Sequence, residues 1–146
     1  MCFYSWNLNV IKSHCPLCML SIKDGKIIVD ENHMMTKLFA GREIVFHLAA
    51  QSSVLVSYRN SLDTITTNVI GTANMLEVIK SCRSIKSAII VTTDKVYHNV
   101  EKHEGYKEDE PLGGKDPYSA SKAAAEIAIE AWQNLSEIGN KMKIVA

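Results

Sequence analysis

The sequence predicts an α/β fold in which helices wind around a parallel sheet on both faces. Three observations lead to this prediction. Short apolar runs at residues 44–50 and 87–91 have the length and the β-branched content of buried parallel strands. A longer segment with helical character follows each run, and a further strand begins at Lys143. The order strand, helix, strand, helix, strand is typical of a doubly wound sheet.

The first of these strands, residues 44–50, ends in small residues, as a strand that meets a ligand does. The helix that follows is predicted over residues 62–81, because side chains suited to the interior recur there at spacings of four and three. This inward stripe consists of Ile65, Val69, Thr72, Leu76 and Ile79.

The second helix is predicted to begin at Tyr118, since Asp116 suits the N-cap and Pro117 the first helical position. It runs to about Ser136, and Gly139 suits its C-terminal end. A charged loop, residues 98–115, precedes this helix. Loops of that length in compact domains usually bind or cover something.

The first part of the chain gives weaker patterns. Residues 27–29 are compatible with a strand, and residues 31–39 with a helix that directs Met34, Met35 and Leu38 inward.

Composition bounds the function. A chain of 146 residues with 47% hydrophobic content can form one core, and a formal net charge of zero argues against nucleic-acid partners. No apolar run reaches the length of a membrane span, and no signal peptide is recognisable. The four cysteines are therefore interpreted as reduced thiols of a cytoplasmic protein. Cys15 and Cys18, beside His14, lack a second ligand pair, so no metal site is predicted.

Reactive side chains gather at two points of this predicted fold. The segment Thr92-Thr93-Asp94-Lys95 follows a buried strand, at the edge where open α/β sheets bind their ligands. Tyr118 and Lys122 are four residues apart and share one helix face. A nearby ammonium favours phenolate by lowering a phenol pKa that starts at about 10. The pair is interpreted as a tyrosine base, and the alternative is an ordinary surface pair.

These two segments resemble the active-site motifs of the extended short-chain dehydrogenase/reductase family. The loop from Gly105 to Tyr118 is similar, more narrowly, to the CDP-glucose 4,6-dehydratase branch, and the resemblance covers about residues 43–131. It implies that residues 43–146 are the central part of an NAD-binding Rossmann domain and that residues 1–42 are a divergent segment. The chain is expected to be a fragment without the first βα unit and the C-terminal substrate domain.

The resemblance also implies a three-stage reaction on a nucleotide hexose. Tyr118, as phenolate, removes the C4 hydroxyl proton while hydride passes to NAD; water is then lost across C5 and C6, and the hydride returns to C6. Thr93 hydrogen-bonds the reacting hydroxyl, and Lys122 holds the nicotinamide ribose. Asp94 protonates the departing hydroxyl, for which it must be neutral. Lys95 either removes the C5 proton in its neutral form or orients the sugar as a cation.

Further contacts follow from the same resemblance. Cofactor contacts are expected from seven residues: Leu48, Ala49, Ala50, Thr67, Thr92, Tyr118 and Lys122. Within the family's Thr-Asn-x-x-Gly-Thr helix, Asn68 and Gly71 support the neighbouring strand. Gln51, Ser53 and Thr93 are expected to contact the substrate, CDP-glucose. The complete enzyme is expected to be a homodimer in nucleotide-sugar metabolism that serves lipopolysaccharide O-antigen synthesis.

Three departures from the family pattern leave alternatives open. The glycine-rich turn for the pyrophosphate is absent, and only Asp30 represents the expected pair of adenine-side aspartates. The segment 52–55 lacks the usual arginine. The alternatives are an NAD-dependent epimerase, which needs no acid at C6, and a non-catalytic remnant. The isolated chain is expected to have little or no dehydratase activity.

Overall fold

The structure, a computed structural model, describes residues 22–23, 26–27, 39–135 and 143–145, and it describes side chains over residues 39–135. The strands are β1 Ile22–Lys23, β2 Lys26–Ile27, β3 Ile44–His47, β4 Ser87–Ile90 and β5 Lys143–Val145. The α-helices are α1 Val54–Arg59, α2 Ser61–Ile65, α3 Gly71–Ser81 and α4 Pro117–Gln133. A π-helix, Thr66–Ile70, joins α2 to α3, and a 3₁₀ turn covers Asp94–Val96. Within these residues, no helix combines the length and the apolar character needed to cross a membrane.

The three longer strands form one parallel sheet in the order β3-β4-β5. Ile44 pairs with Ser87, and Ser87 pairs in turn with Lys143. The three strands predicted for this sheet are therefore confirmed, although β3 and β4 end at His47 and Ile90, before the ends predicted from sequence. Of the further strand predicted at residues 27–29, Ile27 lies in β2 and the other two positions lie outside the described residues. β1 and β2 pair with each other in antiparallel fashion. The predicted helix at 31–39 lies outside the described residues except for its last position.

The core lies between one face of the sheet and the helices α3 and α4. Val45 and Ala88 from the strands are buried there together with Leu76 and Ile79 of α3 and Ile129 of α4. Burying these side chains contributes roughly 25 cal/mol per Å² of apolar surface removed from water. Trp132 packs against this core, and its Nε1 donates to Glu77 Oε1 at 2.9 Å, which links the two helices.

The opposite face of β3 is open. Ile44 is 58% exposed and Phe46 is 43% exposed. A doubly wound sheet has helices on both faces, whereas the described residues place them on one face only. The described residues thus show one helical layer of the predicted doubly wound sheet.

The predicted helix at 62–81 is confirmed as the continuous run α2, π-helix and α3, but its buried face differs in the first half. Thr64 and Asn68 are buried there, whereas Ile65 is 36% exposed and Val69 is half-buried. The physical reason is the π-helix, whose i→i+5 hydrogen bonds widen the turn and displace the face that points inward. From Thr72 onward the predicted stripe is correct. Helix α1 was not predicted.

Helix α4 begins as the sequence predicts. The Asp116 carboxylate caps it by accepting from Ser119 N at 2.9 Å, and Pro117 occupies the first turn. Hydrogen bonds from Ser119 lower the pKa of Asp116, although burial acts in the opposite direction. The helix ends at Gln133, with Asn134 at its C-cap, so it is shorter than predicted. Gly139 lies outside the described residues.

The loop before α4 is held by its own contacts. The Tyr97 and Tyr106 rings stack with centroids 5.4 Å apart, and Lys102 Nζ lies 4.6 Å from the Tyr106 centroid. The same ammonium pairs with the Glu110 carboxylate and lowers the pKa of that group. An isolated bridge joins Tyr97 to Leu112. The predicted irregular loop is thus present and locally ordered by side chains.

Candidate active site

The site lies at the carboxyl ends of β3 and β4, where the two parallel strands finish side by side. Val91 N donates to His47 O at 3.0 Å just beyond the last paired residues. Residues that follow each strand therefore meet at one edge, as parallel pairing requires. The predicted segments 48–51 and 92–95 are neighbours in the structure for this reason.

Helix α4 brings the predicted tyrosine and lysine to this edge. Tyr118 is 8% exposed and Lys122 is 7% exposed, so the surface-pair alternative does not describe them. Lys122 Nζ donates to the main-chain carbonyl of Val91 at 2.9 Å. Burial lowers the pKa of Lys122, and the Glu126 carboxylate acts in the opposite direction.

The threonines after β4 have different partners. Thr92 is half-buried, and its hydroxyl donates to Glu126 Oε1 of α4. Thr93 caps the 3₁₀ turn, since its Oγ1 accepts from Lys95 N at 3.4 Å, and it donates to Asp94 Oδ1 at 3.0 Å. Asp94 and Lys95 are exposed. Lys95 is close enough to Asp116 to help lower the pKa of that carboxyl, so the turn faces the start of α4.

A buried asparagine on the π-helix connects the two sides of the site. Asn68 Oδ1 accepts from Gln51 N at 2.8 Å, and its Nδ2 donates to Gln51 O at 3.0 Å and to Ser121 Oγ at 2.8 Å. Ser121 in turn donates to Tyr118 O at 2.6 Å. The loop after β3 is therefore tied to the helix that carries the tyrosine. The contact between Asn68 and this loop agrees with the support expected for the neighbouring strand.

The two predicted substrate contacts after β3 are engaged within the chain. Gln51 is 2% exposed, and its Nε2 donates to Thr64 Oγ1 at 2.8 Å and to Ser53 O at 3.0 Å. Ser53 N donates to Gln51 Oε1 at 2.5 Å, and Ser53 Oγ caps α1 by accepting from Val56 N at 3.3 Å. Their assignment to substrate stays a prediction.

The predicted cofactor residues line the same edge with small or accessible side chains. Leu48 is 50% exposed, and Ala49 and Ala50 are half-buried. Thr67 is also half-buried and lies on the π-helix beside Asn68. The edge presents small side chains, a buried ammonium and hydroxyls, which is suited to a flat polar ligand laid across the strand ends.

Two residues of the site were missed in the sequence. Glu126 lies one helical turn beyond Lys122, and the Lys-x-x-x-Glu spacing on one helix face could have revealed it. His47, at the end of β3, is 5% exposed, and its Nε2 lies 3.4 Å from Thr72 Oγ1. Burial, assisted by the charge of Lys122, lowers the pKa of His47 to about 4. The alternation of β3 places it on the inward face with Val45.

Among residues 39–135, no group of three or more histidine, cysteine or acidic side chains is arranged to hold a metal ion. The functional groups that the described site does present are hydroxyl, carboxyl and amine groups. A buried tyrosine and lysine at a ligand-binding edge, with an accessible carboxyl and ammonium next to them, can exchange protons with a polyhydroxylated substrate.

Comparison with known proteins agrees with this geometry. A profile of the family described as GDP-mannose 4,6 dehydratase matches residues 23–144. The chain belongs to this family. CDP-glucose 4,6-dehydratase of Salmonella typhimurium is 49% identical to it over 92 residues, which are 63% of this chain and 26% of that protein. The resemblance predicted from the motifs is thereby confirmed.

Solved structures confirm the predicted Rossmann-type fold. A dTDP-glucose 4,6-dehydratase from Streptomyces venezuelae with NAD bound is 26% identical, with a TM-score of 0.68 over 75% of this chain and 33% of that one. A UDP-glucose 4-epimerase from Thermotoga maritima is 32% identical, with a TM-score of 0.65 over 76% of this chain and 36% of that one. As a member of the GDP-mannose 4,6 dehydratase family, the chain spans about a quarter of the Salmonella relative's length.

Proposed function

We propose that this chain carries the proton-transfer residues of an NAD-dependent sugar-nucleotide 4,6-dehydratase, with CDP-glucose as the substrate. One observation supports this most: the buried Tyr118 and Lys122 are anchored beside the turn that bears Thr93, Asp94 and Lys95. The 49% identity to a CDP-glucose 4,6-dehydratase over 92 residues supports the choice of nucleotide.

The strand-end edge fits NAD. Leu48, Ala49 and Ala50 would lie against the cofactor after β3, with Thr92 after β4 and Lys122 from α4. Thr67 would reach it from the π-helix. The small side chains of the alanines leave room for a ring system, and the Lys122 ammonium and the Thr67 hydroxyl offer donors to ribose oxygens. When bound, NAD supplies the acceptor and the donor of the hydride.

The residues of this chain would supply the proton transfers. Tyr118 takes the proton of the C4 hydroxyl as that carbon is oxidised, and Thr93 hydrogen-bonds the same hydroxyl. The 4-ketone acidifies C5, and the amine of Lys95 takes the C5 proton as the C6 hydroxyl leaves. Lys95 would give this proton back to C5 when the hydride returns to C6. Asp94 gives that hydroxyl its proton, so that it leaves as water. Asp94 is exposed in the chain, so its carboxyl group is accessible to a bound substrate.

Lys95 is assigned the base role at C5 in this proposal, and it is a cation once it holds that proton. It faces the Asp116 carboxylate, which caps the helix that begins with Pro117 and Tyr118. The two groups form an opposite-charge arrangement, and a lysine in such an arrangement is suited to orienting the sugar or its oxygens. Of the substrate contacts after β3, Ser53 would use its hydroxyl, whereas Gln51 would first have to release Thr64.

The proposal extends to assembly and location. Outward-facing apolar side chains on α2 and α4 suit a homodimer interface: Leu62, Ile65 and Ile127. The compartment proposed is the cytoplasm, as the reduced cysteines predict, and the pathway is nucleotide-sugar supply for O-antigen.

A chimaeric enzyme tests the proposed function. The matching stretch of the Salmonella dehydratase is replaced by that of this chain, and the product is assayed with CDP-glucose and NAD for a 4-keto sugar. Turnover is expected. Tyr118→Phe should remove the initial oxidation, with a loss of about 10²- to 10⁴-fold, as is usual for a general base. Tyr58→Phe, at a 63% exposed tyrosine on α1, is the matched control and should leave turnover unchanged.

Asp94→Asn separates the steps. Oxidation at C4 should persist while water loss slows, so that a 4-keto hexose retaining its C6 hydroxyl accumulates. Asp63→Asn, at an exposed aspartate on α2, is its control. Equal loss of both steps in Asp94→Asn would contradict the acid role. Epimerisation at C4 without water loss would instead favour the epimerase alternative. The 32% identity to a UDP-glucose 4-epimerase is the observation that supports this alternative.

A further inference from the structure

Glu126 lies at the point where helix α4 meets the end of β4. It is half-buried, one helical turn beyond Lys122, and its Oε1 accepts the hydroxyl of Thr92. Lys122 donates to the carbonyl of Val91, the residue immediately before Thr92. Two side chains on successive turns of α4 therefore hold two consecutive residues of the strand end.

This arrangement has a consequence for the geometry of the site. Thr92 precedes Thr93, and Thr93 caps the turn that carries Asp94 and Lys95. Fixing residues 91 and 92 against α4 thus sets where this turn begins. A hydroxyl that donates to a carboxylate makes a charge-assisted hydrogen bond, roughly twice as strong as a neutral one.

We propose that Glu126 is a positioning residue of the proposed dehydratase site: it fixes Thr92 against α4 and serves as the acidic partner of Lys122. The inference rests on the proposed function for its role in the reaction, but the contacts themselves do not depend on it. In this proposal Glu126 acts through Thr92 and Lys122 and not on the reacting atoms.

The charges around Lys122 define how Glu126 acts. Two titratable groups interact with the ammonium through charge: Glu126 on its own helix, and His47 from β3. Burial lowers the pKa of Lys122, and the Glu126 carboxylate is the group that opposes this shift. Loss of the carboxylate removes that opposition, so Lys122 should lose its proton at lower pH.

The test measures the Lys122 titration in the 146-residue chain by side-chain NMR of labelled lysine, with the signal assigned from Lys122→Arg. Glu126→Gln retains an oxygen that can accept from Thr92 but removes the charge. Its Lys122 midpoint should move to lower pH than in the unmodified chain. Glu130→Gln is the matched control, since Glu130 is exposed one turn further along α4, and the midpoint should not move.

Glu126→Asp keeps the experiment decisive if the glutamine variant does not fold. It retains the charge but shortens the side chain, so the contact with Thr92 should be lost. The expected signs are amide shift changes at Thr92 and Thr93, with a smaller displacement of the Lys122 midpoint in the same direction. An unchanged midpoint in Glu126→Gln, or unchanged Thr92 and Thr93 amides in Glu126→Asp, would overturn the proposal.

The outcome is separable from that of the proposed function. If the Lys122 midpoint moves while the chimaera fails to make a 4-keto product, the positioning role stands and the assigned reaction fails. If the chimaera turns over while Glu126→Gln leaves both the Lys122 midpoint and the pH profile of turnover unchanged, the reaction stands and the role of Glu126 is refuted.

Discussion

The buried histidine at the end of β3 should make this chain sensitive to mild acid. His47 is 5% exposed, and its pKa is lowered from 6.5 to about 4, chiefly by burial and secondly by the charge of Lys122. A base whose pKa is lower in the folded state binds its proton mainly in the unfolded state. Between pH 6.5 and pH 4 the unfolded state therefore gains protons that the native state lacks, and the free energy of unfolding falls as pH falls.

The size of the effect follows from the shift. A displacement of about 2.5 pKa units, at 1.36 kcal/mol per unit, corresponds to a total loss of about 3 kcal/mol once the pH is below both values. By pH 5 the loss is about 2 kcal/mol, or about 30-fold in the unfolding equilibrium constant. Above pH 6.5 the histidine is neutral in both states, and the penalty is absent.

Urea unfolding followed by far-UV circular dichroism at pH 7 and pH 5 measures this loss. His47→Gln cannot titrate, so the fall in its free energy of unfolding between the two pH values should be smaller than that of the unmodified chain by about 2 kcal/mol. His103→Gln, at an exposed histidine, should behave like the unmodified chain. Equal falls in the unmodified chain and in His47→Gln would refute the reasoning, whatever the stability of the variant at pH 7.

Three further substitutions test the packing that builds the site, each by its free energy of unfolding in urea. Gly114→Ala would place a Cβ 2.1 Å from a backbone nitrogen in the first turn of α4, so the free energy of unfolding should fall by about 1–3 kcal/mol. In the control Gly105→Ala the new Cβ meets no atom within 4 Å, so stability should be nearly unchanged. Leu76→Ala, at a fully buried position, should cost about 2–5 kcal/mol, against less than about 0.5 kcal/mol for Leu55→Ala at a 74% exposed one. Asn68→Ala leaves its buried hydrogen-bond partners unsatisfied and should lower the free energy of unfolding by about 3 kcal/mol. If the free energy of unfolding is nearly unchanged in Gly114→Ala, Leu76→Ala or Asn68→Ala, the contact described for that residue is contradicted.

Local patterns predicted the elements well where one residue type decides the local structure. Asp116 and Pro117 placed the start of α4 correctly, since a cap and a first-turn proline act through neighbouring backbone groups alone. The spacing of Tyr118 and Lys122 likewise placed both side chains on one buried helix face. These features require no knowledge of the rest of the chain.

Features that depend on distant residues were not accessible in this way. The regular spacing from Ile65 to Val69 predicted an inward stripe, but the π-helix turns Asn68 inward, where it meets Gln51 and Ser121. A search for apolar residues at helical spacing does not count an asparagine as buried. Its hydrogen-bond partners must be known before it can be assigned to the core. Glu126 escaped attention for a similar reason, because its partner Thr92 lies 34 residues away in sequence.

His47 and Lys122 are both buried basic groups, but their neighbours differ. These neighbours, rather than burial, decide which of the two side chains is the better place for a positive charge. Burial lowers the pKa of both His47 and Lys122. Lys122 donates to the Val91 carbonyl and has the Glu126 carboxylate one turn away, and both partners stabilise an ammonium. His47 has the Thr72 hydroxyl beside it and feels the positive charge of Lys122, which disfavours a second cation. The buried part of this edge therefore favours a positive charge on Lys122, which α4 fixes in position, over one on His47.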